Sequence, residues 1–338
     1  MPIELAQLRA LRLALGSALS LAASFALDLP LAFLTPVLAV LLLAMRSQPL
    51  PLRAAPLLAL LVLCSCGCGL LLIPLLRHAP LTGVLVVAVG LFVVFRYALA
   101  GGNGLLANLL IIGLTMIAAA GSSDFGLALA VVEALAKGML LATVCAALVH
   151  VLLPEPDDAA PSPTPPVLAR EDVGWVALRA TFIVMPAFLL ALIAPDQFMP
   201  MIMKAVSLGQ QAGEARVVHA RRELIGSTLL AGLLASLVWG ALGLFVHLWM
   251  LFWLVLLVAL WQGRRLYGAV GSSAGPGFWV GCLTTMLILL GQSVQDSIAG
   301  QDVYRAFFVR MGLFLLVSVY AGLMVGWIDR RRWVWGDD

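Results

Sequence analysis

Two oppositely charged residues lie one helical turn apart within a long apolar run. Glu133 and Lys137 fall between Phe125 and Leu153, in the Glu-before-Lys order that favours pairing on a helix. At about 1.5 Å per residue they lie roughly 12 and 18 Å along the run, near the middle of a hydrocarbon core about 30 Å thick. A charge at that depth is costly unless it is paired or hydrated. Glu133 is therefore a candidate proton carrier; the alternative is a neutralising pair that only locks the helix.

A second group of charges leads into the last apolar run. Asp302, Arg305 and Arg310 lie at or near its start. Arginine keeps its charge and can hold a carboxylate with two donors, so Arg310 suits an organic acid. The alternative is an arginine that links helices or reaches the membrane surface, which fits Arg305 best.

A third candidate cluster combines prolines with a cation. Lys204 follows Pro200 by about one turn, and Thr35-Pro36 occupies the corresponding place in the first half of the chain. Proline-interrupted short helices at matching places in two halves are typical of transport sites, because the break frees backbone groups for a ligand. The alternative is a pair of packing kinks.

Three cysteines share one apolar run without forming a metal motif. Cys64, Cys66 and Cys68 are spaced two residues apart, so they cannot share one helix face. The neighbouring Gly67 and Gly69 predict close helix packing instead.

Other chemical motifs are missing from the sequence. The four histidines have no metal-ligand spacing, and the chain contains neither a Walker loop nor a G-x-S-x-G elbow. We therefore expect no cofactor, no metal site and no enzymatic activity.

The elements that must position these residues are membrane helices. Of the 338 residues, 63% are apolar and 11% are charged, and the mean hydropathy is +1.08. Soluble domains carry roughly 25% charged residues. The composition predicts an all-α integral membrane protein whose partner is the lipid bilayer and not nucleic acid.

Twelve apolar runs are long enough to be considered as spans, although the second and eighth are short and each contains a proline. They are Leu8–Leu27, Leu31–Met45, Ala54–Leu76, Leu81–Leu99, Gly104–Ala120, Phe125–Leu153, Trp175–Ala194, Phe198–Leu208, Val217–Val246, Leu248–Trp261, Phe278–Gln292 and Val303–Ile328. Most of the 20 Lys and Arg residues fall in alternate loops and on one side, which predicts that both termini are cytoplasmic.

One polar segment divides the chain. Residues 154–172 are rich in proline and acidic residues, which predicts a solvated cytoplasmic linker between membrane regions 1–153 and 173–338. Charges such as Arg12 and Arg179, or Arg96 and Arg264, recur in the same order and at nearly constant spacing. The pattern predicts two parallel six-helix repeats.

The opening hairpin resembles a known family. The stretch from Leu11 to Val40, which includes Asp28-Leu-Pro and Thr35-Pro36, resembles the first hairpin of the fusaric acid resistance protein-like family. Arg305 with Arg310-Met-Gly is similar to the arginine-bearing last helix of that family. The resemblance implies export of small organic or aromatic acids across a bacterial inner membrane, with a periplasmic membrane-fusion adaptor as partner. Larger members carry a cytoplasmic domain after the helices, and here a 19-residue linker and a short tail replace it.

The leading hypothesis is therefore a proton-coupled secondary exporter of organic anions. A major-facilitator carrier also has two six-helix halves, but its acid-and-arginine loop is missing between Arg46 and Arg53. A noncatalytic membrane scaffold that docks an envelope partner is the alternative from another class, and a membrane enzyme is a more distant one.

Overall fold

The fold is known from a computed structural model that describes residues 3–45, 54–156, 170–214, 217–245 and 247–335. Within these ranges all regular structure is helical and no strand occurs. Twelve helices result when the continuous stretch Gly104–Ser123 is counted as one, and ten of the twelve are long and apolar enough to cross a membrane. The prediction of an all-α integral membrane protein with about twelve helices is confirmed.

Six helices precede the polar segment. They are α1 (Ile3–Ala26), α2 (Leu34–Met45), α3 (Ala54–His78), α4 (Pro80–Leu99), α5 (Gly104–Ser123) and α6 (Phe125–Leu152). Local sequence explains the boundaries of α4 and α5. Pro80 opens α4 at a position where the missing N–H is not needed. Asn103 accepts from the backbone N–H groups of Leu105 and Leu106 and so caps α5.

Six helices follow it. They are α7 (Arg170–Ile193), α8 (Pro195–Glu214), α9 (Val217–Leu242), α10 (Leu248–Leu266), α11 (Pro276–Ile298) and α12 (Val303–Trp335). The predicted linker begins as expected, since Pro154–Pro156 are not helical, but α7 already starts at Arg170. Residues 157–169 of that predicted linker lie outside the described part of the chain.

The two short predicted spans, Leu31–Met45 and Phe198–Leu208, correspond to the two helices that do not qualify as candidate spans. Helix α2 has only 12 residues. Helix α8 has 20 residues, so it is longer than predicted, but its polar residues make it too hydrophilic. Pro36 lies in the first turn of α2, where proline is tolerated, and α8 continues through Pro200. The expected interruption by proline is therefore wrong for both helices.

The chain divides into two compact units, and each draws on both sides of the polar segment. Unit 1 comprises Met1–Val62, Glu133–Thr164 and Leu229–Met311, whereas unit 2 comprises Leu63–Val132, Pro165–Thr228 and Gly312–Asp338. The packing units therefore differ from the sequence regions 1–153 and 173–338. The sequence duplication itself stays a prediction.

The same helix pairings recur in both units. In unit 1, α1 packs on α2 and α10, α2 packs on α11, and α10 packs on α11. In unit 2, α7 packs on α8 and α4, α8 packs on α5, and α4 packs on α5. The two sets correspond when each helix number is shifted by six: α1 and α2 of unit 1 correspond to α7 and α8 of unit 2, and α10 and α11 correspond to α4 and α5. This is the arrangement that a duplicated chain with exchanged helices would produce.

Glycines allow the closest helix contacts. A Cβ atom at Gly263 of α10 would lie 3.1 Å from the backbone oxygen of Ala10 in α1, within unit 1. In unit 2, a Cβ atom at Gly69 of α3 would lie only 2.0 Å from the oxygen of Gly113 in α5, whereas one at Gly67 would meet nothing within 4 Å. Gly113 opens a single π-helical turn in α5. The close packing predicted for this part of α3 thus depends on Gly69 and not on Gly67.

Candidate functional site

Lys204 is a fully buried lysine in the buried middle part of α8. From Met199 to Val206 every residue of α8 is buried, and Lys204 has 0% of its surface exposed. Around it, Ile202, Ala205 and Val206 belong to the apolar core of unit 2. Pro200, also buried, lies one turn earlier. The structure therefore places the predicted pair Pro200 and Lys204 together, at the centre of unit 2.

Amide side chains tie the end of α8 to its neighbours. Gln210 donates from Nε2 to Asn108 Oδ1 of α5 at 3.0 Å, and Gln211 donates to Ser207 Oγ at 2.9 Å. Both glutamines lie within α8, which continues to Glu214. Asn108 acts here as an interhelical link.

Thr35 and Pro36 lie in the corresponding helix of unit 1. Both are buried near the start of α2. A Cβ atom at Gly138 of α6 would lie 3.2 Å from Thr35 Oγ1, so the backbone of α6 passes close to the threonine. Helix α2 carries no charged residue. The Thr35-Pro36 cluster thus resembles the α8 cluster in burial but lacks a cation.

Glu133 and Lys137 form the predicted pair. Lys137 Nζ donates to Glu133 Oε1 at 2.5 Å. Their side chains are 56% and 51% exposed, however, so the expected burial is wrong. Both lie on the stripe of α6 that continues through the exposed Leu140 and Val144. The two charges therefore stand on an uncovered helix face.

Arg310 is not free to receive a ligand as the structure stands. Its Nη2 donates to Asp296 Oδ1 at 2.9 Å, and its Nη1 donates to the other carboxylate oxygen. The Arg310 side chain is 21% exposed and that of Asp296 is 9% exposed. Asp296 is a partner that the sequence did not indicate, because it lies on α11 and not on the helix of Arg310.

Asp302 and Arg305 are linked by a hydrogen bond at the start of α12. Asp302 Oδ1 accepts from the backbone N–H of Arg305 at 3.2 Å and so caps the helix. Asp302 also lines a cavity of about 400 Å³ in unit 1, together with Trp239, Ser297 and Tyr304. Arg305 itself is exposed, as the surface interpretation predicted.

An arginine–carboxylate cluster at the other end of unit 1 was not predicted as a site. Glu155 Oε1 accepts from Arg9 Nε at 3.0 Å and from Arg12 Nη1 at 2.6 Å, and Oε2 accepts from Arg9 Nη2 at 3.1 Å. Arg12 Nε also donates to the Leu153 carbonyl at 2.7 Å. The arginines are 5% and 4% exposed. The sequence offered their one-turn spacing on α1, but they had been assigned only as markers of orientation.

The charges of this cluster act on one another. Burial alone would raise the pKa of Glu155, but the hydrogen bond from Arg9 and the charges of Arg12, Arg9 and His150 outweigh it, so the pKa lies below its usual value. Burial raises the pKa of Tyr267, which follows α10, to about 12. The charges of both arginines and of Glu155 also influence the pKa of Tyr267. Glu155 is thus a charged partner and Tyr267 a protonated donor at neutral pH.

The described residues contain no obvious metal site. No group of three or more His, Cys, Asp or Glu residues there could hold a metal ion. The five cysteines are free thiols, with Cys64 and Cys68 exposed and Cys66 buried. The three closely spaced cysteines thus point to different sides of α3.

Comparison with known proteins gives one match. A family model described as a protein of unknown function (DUF2955) matches residues 9–149, which run from Arg9 on α1 almost to the end of α6. No curated protein and no solved structure matches the chain. The resemblance of the first hairpin to the fusaric acid resistance protein-like family stays a prediction. Over residues 9–149 the chain is therefore similar to a family whose function is unknown.

Proposed function

We propose that the protein is a bacterial inner-membrane secondary exporter of small organic or aromatic acids, driven by the proton gradient. The burial of Lys204 carries the proposal. Taking an ammonium group out of water inside a membrane helix bundle is expensive, and membrane proteins tolerate such groups mainly on substrate and ion pathways.

Lysine at this position suits the proposed chemistry. An ammonium ion attracts a carboxylate, and a buried lysine can lose its proton more readily than an arginine can. Lys204 lies on α8, whose composition differs from that of the ten candidate spans. A buried helix with too few apolar residues for lipid contact is suited to facing a polar ligand.

The remaining candidates have supporting roles in this proposal. Arg310 would receive a substrate carboxylate only in exchange for Asp296, its present partner. Glu133 would carry the coupling proton, and its exposure leaves it accessible to water wherever the α6 face is hydrated. Lys137, one turn away, would hold the Glu133 carboxylate in place by its hydrogen bond.

Transport in a purified system tests the proposal. Protein in liposomes loaded with labelled benzoate, with a pH difference imposed across the membrane, should release benzoate faster than protein-free liposomes. The release should collapse when a protonophore removes the gradient. Equal release with and without protein, across a panel of aromatic and aliphatic acids, would argue against export.

The coupling role of Glu133 has its own test. Glu133→Gln should remove the dependence of benzoate release on the pH difference, because the amide cannot take up the proton. Glu4→Gln, which changes an exposed acid in the first turn of α1, serves as the matched control. Gradient-driven release by Glu133→Gln at the rate of the unaltered protein would remove Glu133 from the coupling step.

One observation favours the alternative of a noncatalytic scaffold. An ion pair on an uncovered face of a membrane helix is costly in lipid, and a protein partner that covers the α6 face would relieve that cost. A periplasmic adaptor with its own membrane anchor is such a partner. A scaffold would move no acid across liposomes yet would crosslink to the adaptor through a photoreactive residue at Leu140.

A further inference from the structure

The cluster formed by Arg9, Arg12 and Glu155 has the geometry of a carboxylate receptor. Arg9 meets both oxygens of the carboxylate, and Arg12 adds a third hydrogen bond to Oε1. Two-oxygen contact from a guanidinium group, supported by a second arginine, is the strongest arrangement that side chains offer to a carboxylate. All of its members lie in unit 1.

The two arginines are positioned independently of Glu155. Both project from α1, which packs closely on α10 where Gly263 meets Ala10. Arg12 is also held by the carbonyl of Leu153 at the end of α6. The donors would therefore keep most of their arrangement if the glutamate left.

The backbone of Glu155, by contrast, is only weakly held in place. It lies outside any helix, between Pro154 and Pro156, and neither proline has a backbone N–H to donate. Its side chain keeps 14% of its surface exposed, more than either arginine. The carboxylate is thus the part of the cluster that solvent reaches.

The surroundings indicate which acid would fit. Tyr267, which follows α10, is influenced by the charges of both arginines and Glu155 and stays protonated at neutral pH. Two guanidinium groups on one carboxylate favour an acid with a single carboxylate group, and the proposed function narrows the class to the aromatic acids that would be exported.

We propose that Arg9 and Arg12 form a binding site for aromatic monocarboxylates and that Glu155 is an internal ligand which the acid displaces. The inference rests on the proposed function, because it supplies the site at which an exported acid is first bound on the side of the N-terminus. Exchange of one carboxylate for another leaves the charge of the cluster unchanged. The tethered glutamate competes at an effective concentration in the millimolar range, so the unaltered chain should bind acids weakly.

Removal of the internal ligand tests the site. In the full-length protein, Glu155→Ala should lower the thermal unfolding temperature, and benzoate should restore it by replacing the lost carboxylate. Benzamide, which has the same shape but no charge, should not restore it at the same ionic strength. Direct titration should show benzoate binding at least about tenfold tighter than in the unaltered protein, by the loss of the tethered competitor. A folded Glu155→Ala variant that gains neither stability nor affinity from benzoate overturns the proposal.

Two further variants make the result specific. Glu155→Ala combined with Arg12→Gln should lose the gain, and retention of the full gain would place benzoate elsewhere and also overturn the proposal. Should Glu155→Ala not fold, Glu155→Gln keeps the side-chain volume and is subject to the same comparison of benzoate with benzamide. Failure of this site would leave benzoate release from liposomes intact, whereas failure of the export proposal would leave the benzoate response of Glu155→Ala intact, so the two failures can be told apart.

Discussion

Helices α2 and α8 occupy equivalent places in their units, yet only α8 carries a charge. Each packs on the first helix of its own half and on the fifth helix of the other half, and each is buried on nearly all sides. Helix α2 presents Thr35 where α8 presents Pro200 and Lys204. The difference shows that one framework can hold either an apolar centre or a buried cation. The buried lysine that carries the export proposal therefore lies in unit 2, with no charged counterpart in α2.

The turns before these two helices also differ. Seven residues, 27–33, separate α1 from α2, and Asp28 and Leu31 among them adopt positive φ angles of 49° and 52°. Only Ala194 separates α7 from α8. A left-handed conformation costs about 1–2 kcal/mol for a residue such as leucine. The longer turn shortens α2 and moves Pro36 into the first turn, whereas Pro200 remains within α8.

Removal of the cation should have the largest effect on function. Lys204→Met keeps the length of the side chain and its burial, so we expect the helix to fold but benzoate transport to fall at least about thirtyfold, corresponding to roughly 2 kcal/mol or more of lost interaction. Thr35→Val in α2 is the matched change in unit 1 and should reduce transport less than about threefold. Equal losses in both variants would break the functional contrast between the units.

A methyl group added at a glycine helix contact should destabilise the protein more in unit 2 than in unit 1. Gly69→Ala places a methyl group against the backbone oxygen of Gly113, so the free energy of unfolding should fall by about 3 kcal/mol. Gly263→Ala, which approaches Ala10 less closely, should lose about 1 kcal/mol. Thermal unfolding in detergent measures both.

The control for these glycine changes lies two residues from Gly69. Gly67→Ala meets open space and should be neutral or slightly stabilising, because alanine favours a helix. A destabilisation as large as that of Gly69→Ala would contradict the contact between α3 and α5.

Two of the ion pairs in unit 1, Glu133–Lys137 and Asp296–Arg310, should differ in strength. Asp296→Asn leaves the partly buried Arg310 without its carboxylate and should lower the free energy of unfolding by about 2 kcal/mol. Glu133→Gln breaks an exposed pair and should change it by less than about 0.5 kcal/mol. Chemical denaturation of the two variants in the same detergent compares them, and the reverse order would contradict the exposure of the α6 pair.

The Glu155 cluster should give a smaller effect that depends on pH. The pKa of Glu155 is lowered in the folded chain. The stabilisation from Glu155 is therefore fully present above its ordinary pKa of 4.5, and it is lost as the pH falls through the lower pKa of the folded chain. At neutral pH, Glu155→Gln should lower stability by about 1–2 kcal/mol. Below the folded pKa, the variant and the unaltered protein should converge. A constant difference between pH 7 and pH 3 would exclude titration of Glu155 as the cause.

Much of the fold could be predicted because its signals are local. Apolar runs and their lengths indicated the helices. The runs that correspond to α2 and α8 were visibly short, and each contains a proline. The pairing of Glu133 with Lys137 was also local, since four residues on one helix must lie side by side. The exposure of this pair could not be predicted from the local sequence, because it depends on which neighbouring helices cover α6.

The contacts that could not be predicted join distant parts of the chain. Glu155 meets Arg9 and Arg12 across more than 140 residues, and nothing in the spacing of a linker acid indicates which arginine it will reach. Asp296 and Arg310 lie on different helices connected by a turn, so their pairing depends on how α11 and α12 meet. The same limit applies to the exchange of helices between the units.

That exchange sets the order in which the chain can become structured during synthesis. The four helices that pack in unit 2 are available once the ribosome has passed Glu214, whereas α1 and α2 must wait for α10 and α11, which end at Ile298. Until then, α1, which carries the buried Arg9 and Arg12, and α2 lack α10 and α11 as neighbours. The nascent protein therefore depends on lipid or an insertion factor to shelter its oldest helices until nearly all of it has been translated.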